Sequence, residues 1–274
     1  MKEAAHKDQV QKGDRFEFGK NWKAFLSTLT DEKIEIAKQS LVTMLGYTDL
    51  TGKIFLDVGC GSGLFSLAAM KLGAEVYSFD FDPNSVKCAE ILKERYFPQS
   101  KWTIQEGSIL DEDYIKSLGK FDIVYSWGVL HHTGNLNLAM DNISMAVKEK
   151  GRLFIAIYND EGVRSVRWRK VKKVYNSGFA GKTFIVSTYI PFFVARLLFA
   201  DLRRFKNPFK RYKDYKADRG MSLYYDWFDW LGGLPFEVAS PEVMFEFYKK
   251  KNYSLVKMKT VNSLGCNEFV FQKD

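Results

Sequence analysis

The stretch from Ile54 to Asp82, IFLDVGCGSGLFSLAAMKLGAEVYSFDFD, constrains the fold of this chain more than any other. An apolar run, Ile54 to Val58, closes on Gly-Cys-Gly-Ser-Gly. Leu64 to Leu72 carries apolar residues on nearly every side, as a helix packed on a sheet does. Glu75 to Phe79 reads as a second short strand ending at Asp80. Together they form one βαβ unit with a glycine-rich first turn and an acid at the tip of the second strand. Gly59, Gly61 and Gly63 let the backbone turn sharply and approach a ligand with no Cβ in the way. Asp80 is placed to accept hydrogen bonds from a ribose diol. The spacing is GxGxG after Asp57, and Leu64 stands where a dinucleotide fold more often has a third glycine.

The same alternation continues along the chain. Pro83 to about Phe97 is a helix with proline in its first turn, and Trp102 to Glu106 is a strand. Asp111 to Leu118 reads as a short helix, Phe121 to Ser126 as a strand, Asn135 to Lys148 as a helix and Leu153 to Tyr158 as a strand. Strands alternating with helices predict an α/β, doubly wound, mostly parallel sheet with helices on both faces. Ligands bind such sheets outside the carboxyl ends of the strands, where the strand order reverses. The loops that begin at Gly59, Asp80, Gly107 and Ser126 therefore converge on one crevice. Before this core, residues 1–15 read as a solvated tail. Phe16 to Leu29 is aromatic-rich and becomes helical near Trp22, and Thr30-Asp31-Glu32 opens a helix running to about Leu45. Two such helices suit a lid. Ser240-Pro241-Glu242 starts a late helix, and Tyr253 to Thr260 with Asn267 to Gln272 read as a strand pair.

Residues 160–235 break the alternation and are far longer than an ordinary connection, so they read as an insertion. From Gly162 to Gly220 there are sixteen Lys/Arg and three Asp, a local charge of +13 in a chain whose total is +8, so the rest sums to −5. Within it, Thr183 to Ala200 (TFIVSTYIPFFVARLLFA) approaches the length of a transmembrane span. Pro191 and Arg196 interrupt it, and Lys182, Arg203, Arg204 and Lys206 flank it. It covers an apolar substrate pocket, makes peripheral membrane contact through residues 182–206, or, as the least favoured reading, spans a membrane. The aromatic-rich Met221 to Val238 is either the roof of an active site or the seam between insertion and core. The expected organisation is a tail and lid at 1–50, an α/β core at 51–159, a basic helical insertion at 160–235, and a completing helix and hairpin at 236–274. Three cysteines in 274 residues suit a reducing cytoplasm, with peripheral membrane attachment as the variant, and the polar N-terminus has no signal-like apolar core.

The motifs carry a resemblance. DVGCGSG from Asp57 to Gly63, FD at Phe79-Asp80, Glu106-Gly107-Ser108, FDIVYSWGVLHH from Phe121 to His132 and GRLFIAIYN from Gly151 to Asn159 resemble class I S-adenosylmethionine-dependent methyltransferases. The likeness spans roughly residues 52–159, and its flavour is that of the small-molecule, quinone-biosynthesis O-methyltransferases. It implies a seven-stranded sheet whose last two strands include an antiparallel one. It implies S-adenosylmethionine as cofactor and S-adenosylhomocysteine as product. Asp57, Gly59, Cys60, Gly61 and Gly63 would surround the methionine part, Asp80 would take the ribose hydroxyls, and Phe81 would flank the adenine. Ser108 and Ile109 follow the third strand, where relatives often carry an acid for the adenine amine, so Ser108 departs from the pattern. Ser126 completes the cofactor set. Phe18, Gly19 and Trp22 either touch cofactor or substrate or simply pack the lid.

Methyl transfer is an in-line displacement, and the protein must align the acceptor, take its proton if it is a hydroxyl, and exclude water. His131 and His132, after the fourth strand, are the candidate bases because histidine titrates near neutral pH. The other reading has them shaping the cavity or bonding backbone. Trp22, Trp127, Tyr224, Tyr225, Trp227 and Glu237 are candidate substrate contacts, and Glu237, Asp226, Asp229, Tyr224 and Tyr225 are reserve bases. No third ligand stands near the histidine pair at a spacing that suits a metal. The expected partner is a small molecule methylated at oxygen, with an apolar, aromatic, lipid-linked or sugar acceptor. An RNA methyltransferase using the basic insertion and a non-catalytic binder of the cofactor are the alternatives. Ser126-Trp127-Gly128-Val129 replaces the tetrapeptide usual in amino-methylating nucleic-acid enzymes of the fold, which argues against nucleic acid.

Overall fold

A computed structural model describes residues 8–17, 19, 26–27, 29–205, 207 and 223–274; of residues 223–226 and 229 it describes the backbone only. The core is a seven-stranded sheet of β1 (Ile54–Val58), β2 (Glu75–Asp80), β3 (Trp102–Glu106), β4 (Phe121–Trp127), β5 (Val147–Tyr158), β6 (Tyr253–Lys259) and β7 (Cys266–Lys273). The strand order is β3-β2-β1-β4-β5-β7-β6. β1 to β5 pair in parallel, and β7 runs antiparallel to both β5 and β6. The order reverses between β1 and β4, so a crevice opens beyond their carboxyl ends. Successive residues of the strands bury on opposite faces, as in a sheet covered on both sides. Phe55, Val76, Trp102, Ile123 and Phe154 pack beneath α1 (Asp31–Leu45), α2 (Leu64–Lys71) and α3 (Pro83–Tyr96). Leu56, Phe79, Val124, Leu153, Phe269 and Phe271 pack on the other face, beneath α4 (Glu112–Leu118), α5 (Leu136–Met145) and α9 (Pro241–Lys249).

Most helices begin where a short polar side chain caps their orphan amides. Thr30 accepts from Lys33 N, Asp82 from Asn84 N, Asp111 from Tyr114 N, Asn135 from Leu138 N and Ser240 from Val243 N. Pro83 and Pro241 occupy first-turn positions, where a missing N–H costs little. One boundary differs from the sequence reading. The helix from Asn135 stops at Met145, and β5 begins at Val147 rather than Leu153. Val147 pairs with Phe121, the register then jumps, and Arg152 pairs with Ile123. The extra residues form a bulge with Lys150 at φ 60° and Gly151 pressed against the carbonyls of Lys148, Asp122 and Phe121. Apolar periodicity does not register so local a turn.

Between β5 and α9 lie α6 (Val163–Tyr175), α7 (Phe179–Arg203) and α8 (Leu223–Gly232). Tyr175, Ile185 and Leu231 form a small cluster with Trp168, Tyr189, Ile190, Phe193 and Phe228 around it. The inner face of α7 packs on this cluster, and its outer face does not. Phe184, Phe192, Phe199 and Leu202 are 63%, 57%, 67% and 67% exposed. The end of the expected solvated tail is tied down: residues 8–11 form a helical turn, and Arg15 packs on Phe81 and donates to His132 O. The lid helix placed near Trp22, with Phe18, lies outside the described residues.

Candidate active site

The glycine loop leaves β1 with Gly59 at φ 74° and Gly61 at φ 54°, a region that side-chain-bearing residues rarely adopt. Packing explains Gly59 too, because a Cβ there would enter the Val129 side chain. A Cβ on Gly63 would lie 2.9 Å from Ala89 Cα, so Gly63 lets α2 close on α3. The helix-packing glycine is therefore the last of the motif itself. Gly61 N donates to Asp80 Oδ2 at 2.9 Å and Asp82 N to Asp80 Oδ1 at 2.9 Å. These two amides aim the carboxylate across the loop while leaving it acceptor capacity. Burial pushes the Asp80 carboxyl up to about 6, opposed by the two amides. Asp57 sits behind the loop, raised to about 7 mainly by burial, with Asp80's charge adding. A buried relay holds it: Trp102 Nε1 donates to Ser78 Oγ, Ser78 bonds Ser66 Oγ, and Ser66 Oγ donates to Asp57 Oδ2 at 2.5 Å. A buried acid, Asp57, and a half-buried one, Asp80, both poised to ionise, suit a ligand bearing positive charge.

Other residues of the predicted cofactor set collect around this loop. Cys60 is buried, its thiol pushed well up by burial. Ser126 Oγ donates to Val58 O, tying β4 to the end of β1. Ile109 is buried, and Asn142 Nδ2 donates to its carbonyl. Ser108 Oγ accepts from Leu110 N. Phe81 carries the Arg15 guanidinium 4.9 Å above its ring. Arg15 also donates to His132 O at 3.1 Å, and Gly19 N donates to Asp82 Oδ2 at 2.9 Å. Burial lowers the Arg15 pKa, and the charges of Asp80 and Asp82 counter it. Arg15 and Gly19 thus reach the tip of β2 and the backbone of the histidine turn together. Nothing in the polar composition of the N-terminal segment signals this.

His131 and His132 lie in a 3₁₀ turn, Leu130–His132, just past β4, and both are buried. Their bonds fix their tautomers. Tyr158 N donates to His131 Nδ1 at 3.2 Å, so the His131 proton sits on Nε2, where no partner reaches it. His132 Nδ1 meets Pro235 O at 2.6 Å and must be the donor, which leaves Nε2 in the acceptor form. Burial holds His131 well below the usual histidine range and His132 at about 3, and the Lys172 charge lowers both. Lys172 is fully buried in α6, donates to Trp230 O, and stands 4.6 Å from the Trp230 ring and 4.9 Å from the Phe236 ring. Tyr158 joins this wall at 3.9 Å from the His131 ring and 5.7 Å from Trp230.

Arg169, Lys172 and Asn176 share one face of α6 at i, i+3 and i+7. They donate to the carbonyls of Phe236, Trp230 and Gly232 respectively. The insertion thereby grips the 230–236 strap that supplies Pro235 O to His132. Sequence reasoning missed Arg15, Tyr158, Lys172, Trp230 and Phe236; Lys172 is hidden in a basic run in which Arg167, Lys170 and Lys173 face solvent. Glu237 is placed otherwise than as a substrate contact: its oxygens accept from Gly134 N and Leu136 N, capping α5. Trp127 is 43% exposed at the end of β4, and Trp227 packs 5.9 Å from Phe193. Trp22 and the side chains of Tyr224, Tyr225, Asp226 and Asp229 lie outside the described residues. Among the described residues no group of three His, Cys, Asp or Glu could hold a metal ion.

A family profile described as a methyltransferase domain matches residues 50–200. A ubiquinone biosynthesis O-methyltransferase of Brucella melitensis is 33% identical over 110 residues, 40% of this chain and 43% of that protein. A ribosomal protein L11 methyltransferase of Helicobacter hepaticus is 36% identical over 107 residues, 36% of this chain and 32% of that protein. The chain thus spans less than half the length of these curated relatives. Magnesium protoporphyrin IX methyltransferase from Synechocystis PCC 6803, solved with S-adenosylhomocysteine bound, superposes with a TM-score of 0.53 at 12% identity, covering 89% of this chain and 84% of that one. At that identity the likeness is one of fold.

Proposed function

Since the chain belongs to the class I S-adenosylmethionine-dependent methyltransferases, we propose that it transfers the methyl group of that cofactor to the hydroxyl of a small aromatic acceptor. The observation that carries the reading is the meeting, at one strand switch point, of the glycine loop with Asp80 and a histidine pair of opposite tautomers. The residues fit the cofactor. Asp80 retains acceptor capacity for a ribose diol, and the two acids balance a sulfonium. When bound, S-adenosylmethionine supplies an activated methyl group, so the protein's own task is alignment and proton management.

Asp80, held by Gly61 N and Asp82 N, accepts from the ribose hydroxyls. Asp57, Gly59, Cys60, Gly61 and Gly63 line the methionine end, while Phe81, Ser108 and Ile109 flank the base and Ser126 holds β4 beside the loop. His132 Nε2 accepts the hydroxyl proton, because its other nitrogen is committed to Pro235 O. His131 Nε2–H donates to the acceptor oxygen and ends its cost as an orphaned buried donor, ~1–3 kcal/mol. A histidine held near 3 is a weak base, so an acidic hydroxyl such as a phenol suits it better than an aliphatic alcohol. Tyr158, Trp230 and Phe236 supply aromatic faces for such a ring, with Trp127 and Trp227 farther out.

The test is incubation with methyl-labelled cofactor and extract separated into lipid, polar small-molecule and RNA fractions. Label in a phenolic component of either small-molecule fraction supports the reading. Label in RNA alone overturns it in favour of the basic insertion as a nucleic-acid surface.

A further inference from the structure

We propose that the outward face of α7 lies in the plane of an anionic lipid surface and holds the enzyme there. α7 is 25 residues long, its apolar window has a mean hydropathy of 1.7, and only 6% of that window is buried. At 100° per residue, Phe184, Pro191, Phe192, Ala195, Leu198, Phe199 and Leu202 fall within an arc of about 120°. Every one of them is exposed. A contiguous apolar stripe of this kind on a water-facing helix marks a contact surface. The opposite face is already committed: Ile185 is buried, and Tyr189, Ile190 and Phe193 pack with Trp168, Tyr175 and Leu231. One side alone is available to lipid, so the helix lies in the interface instead of crossing it.

Charge selects the occupant. Arg196 and Arg203 border the apolar arc on one side, and with Arg204, Phe199 and Ala200 they line an open groove of about 520 Å³ at its end. The segment from Gly162 to Gly220 carries +13 while the rest of the chain sums to −5. An anionic bilayer answers both features, with phosphates beside the arginines and acyl chains under the phenylalanines. A second copy of this chain would instead bring like charges together along the same edge. α6, which packs on the inner face of α7 through Trp168 and Tyr175, also grips the 230–236 strap, so attachment would set the acceptor site beside the lipid surface.

Vesicle co-sedimentation with the full chain tests this, comparing phosphatidylcholine alone with a mixture containing about a third phosphatidylglycerol. The expected result is at least about tenfold stronger partition onto anionic vesicles, weakening steeply as salt rises from ~0.1 M to ~1 M. Phe192→Asp with Phe199→Asp should abolish partition on both vesicle types. Arg196→Gln with Arg203→Gln and Arg204→Gln should remove the preference for anionic lipid. Cofactor affinity, unchanged in these variants, certifies their fold. Equal partition on neutral and anionic vesicles overturns the proposal. So does resistance of bound protein to high salt and alkaline carbonate, which marks a span. A concentration-dependent dimer, dissolved by Phe192→Asp with Phe199→Asp and indifferent to vesicles, also overturns it and gives the face to a second copy.

Discussion

Cofactor affinity should fall as pH drops through 6, and Asp80 should be the reason. Burial raises its carboxyl to about 6, so near pH 7.5 it is ionised and able to accept from a ribose diol. Binding to the ionised form of Asp80 scales the dissociation constant by 1 + 10^(pKa − pH), about tenfold at pH 5, and Asp57, raised to about 7, adds to the fall as it is neutralised. The direction follows from the sign of the shift: protons and ribose compete for the same oxygens, so acid disfavours the ligand. Asp80→Asn removes the competition and the charge together. Its amide presents a donor on the side where Gly61 N donates to Oδ2, or else turns that clash onto Asp82 N. Two charge-assisted bonds to ribose, at ~1.5–3 kcal/mol each, are lost, so affinity should drop by about 100-fold or more. Titration calorimetry at pH 5 and 7.5 on both proteins reads these effects. Equal wild-type constants at the two pH values, or an Asn variant within about threefold of wild type, would refute the reasoning.

Other outcomes follow from the same geometry. His132→Ala should lower kcat by ~10²–10⁴ while sparing cofactor affinity, whereas His131→Phe should act mainly on acceptor KM, since it loses a donor and not the base. Lys172→Met should move the acid limb of the kcat/KM profile to higher pH, because the lysine charge depresses His132; an unmoved limb would assign that limb elsewhere. Gly59→Ala should destabilise the fold by roughly 2–5 kcal/mol in urea unfolding, through its positive φ and the Val129 side chain, and Val129→Ala should recover part of it. Glu237→Gln should cost about 1–3 kcal/mol in stability with acceptor KM unchanged, as loss of a helix cap requires.

The parallel sheet was legible because its signals are local. Ile54 to Val58 and Glu75 to Asp80 announce themselves by composition, and Pro83 and Pro241 mark helix starts by what they cannot do. The glycine loop and Asp80 could be placed because a βαβ unit fixes which strand ends meet. Long-range events left no such mark. Arg15 reaches Phe81 and, across more than a hundred residues of chain, the backbone of His132, and the residues before it read as an ordinary polar tail. Lys172 differs from Lys170 and Lys173 only in facing Trp230, a choice made by how α6 docks. Glu237 carries the right chemistry for a base and is spent on α5, because a helix start lies within its reach. The α7 stripe was visible as hydrophobicity, but which half of it is covered depended on α6 and α8.

The central claim is methyl transfer, and the most direct measurement is the ratio of S-adenosylhomocysteine formed to labelled methyl recovered in phenolic small molecules. Wild type and Asp80→Asn should be compared at the same cofactor concentration, below the variant's dissociation constant. One methyl should be recovered per S-adenosylhomocysteine by the wild type, and almost none of either by the variant. Cofactor bound tightly by the wild type, with neither product appearing across the acceptor fractions, would contradict it and leave a binding protein built on a methyltransferase fold.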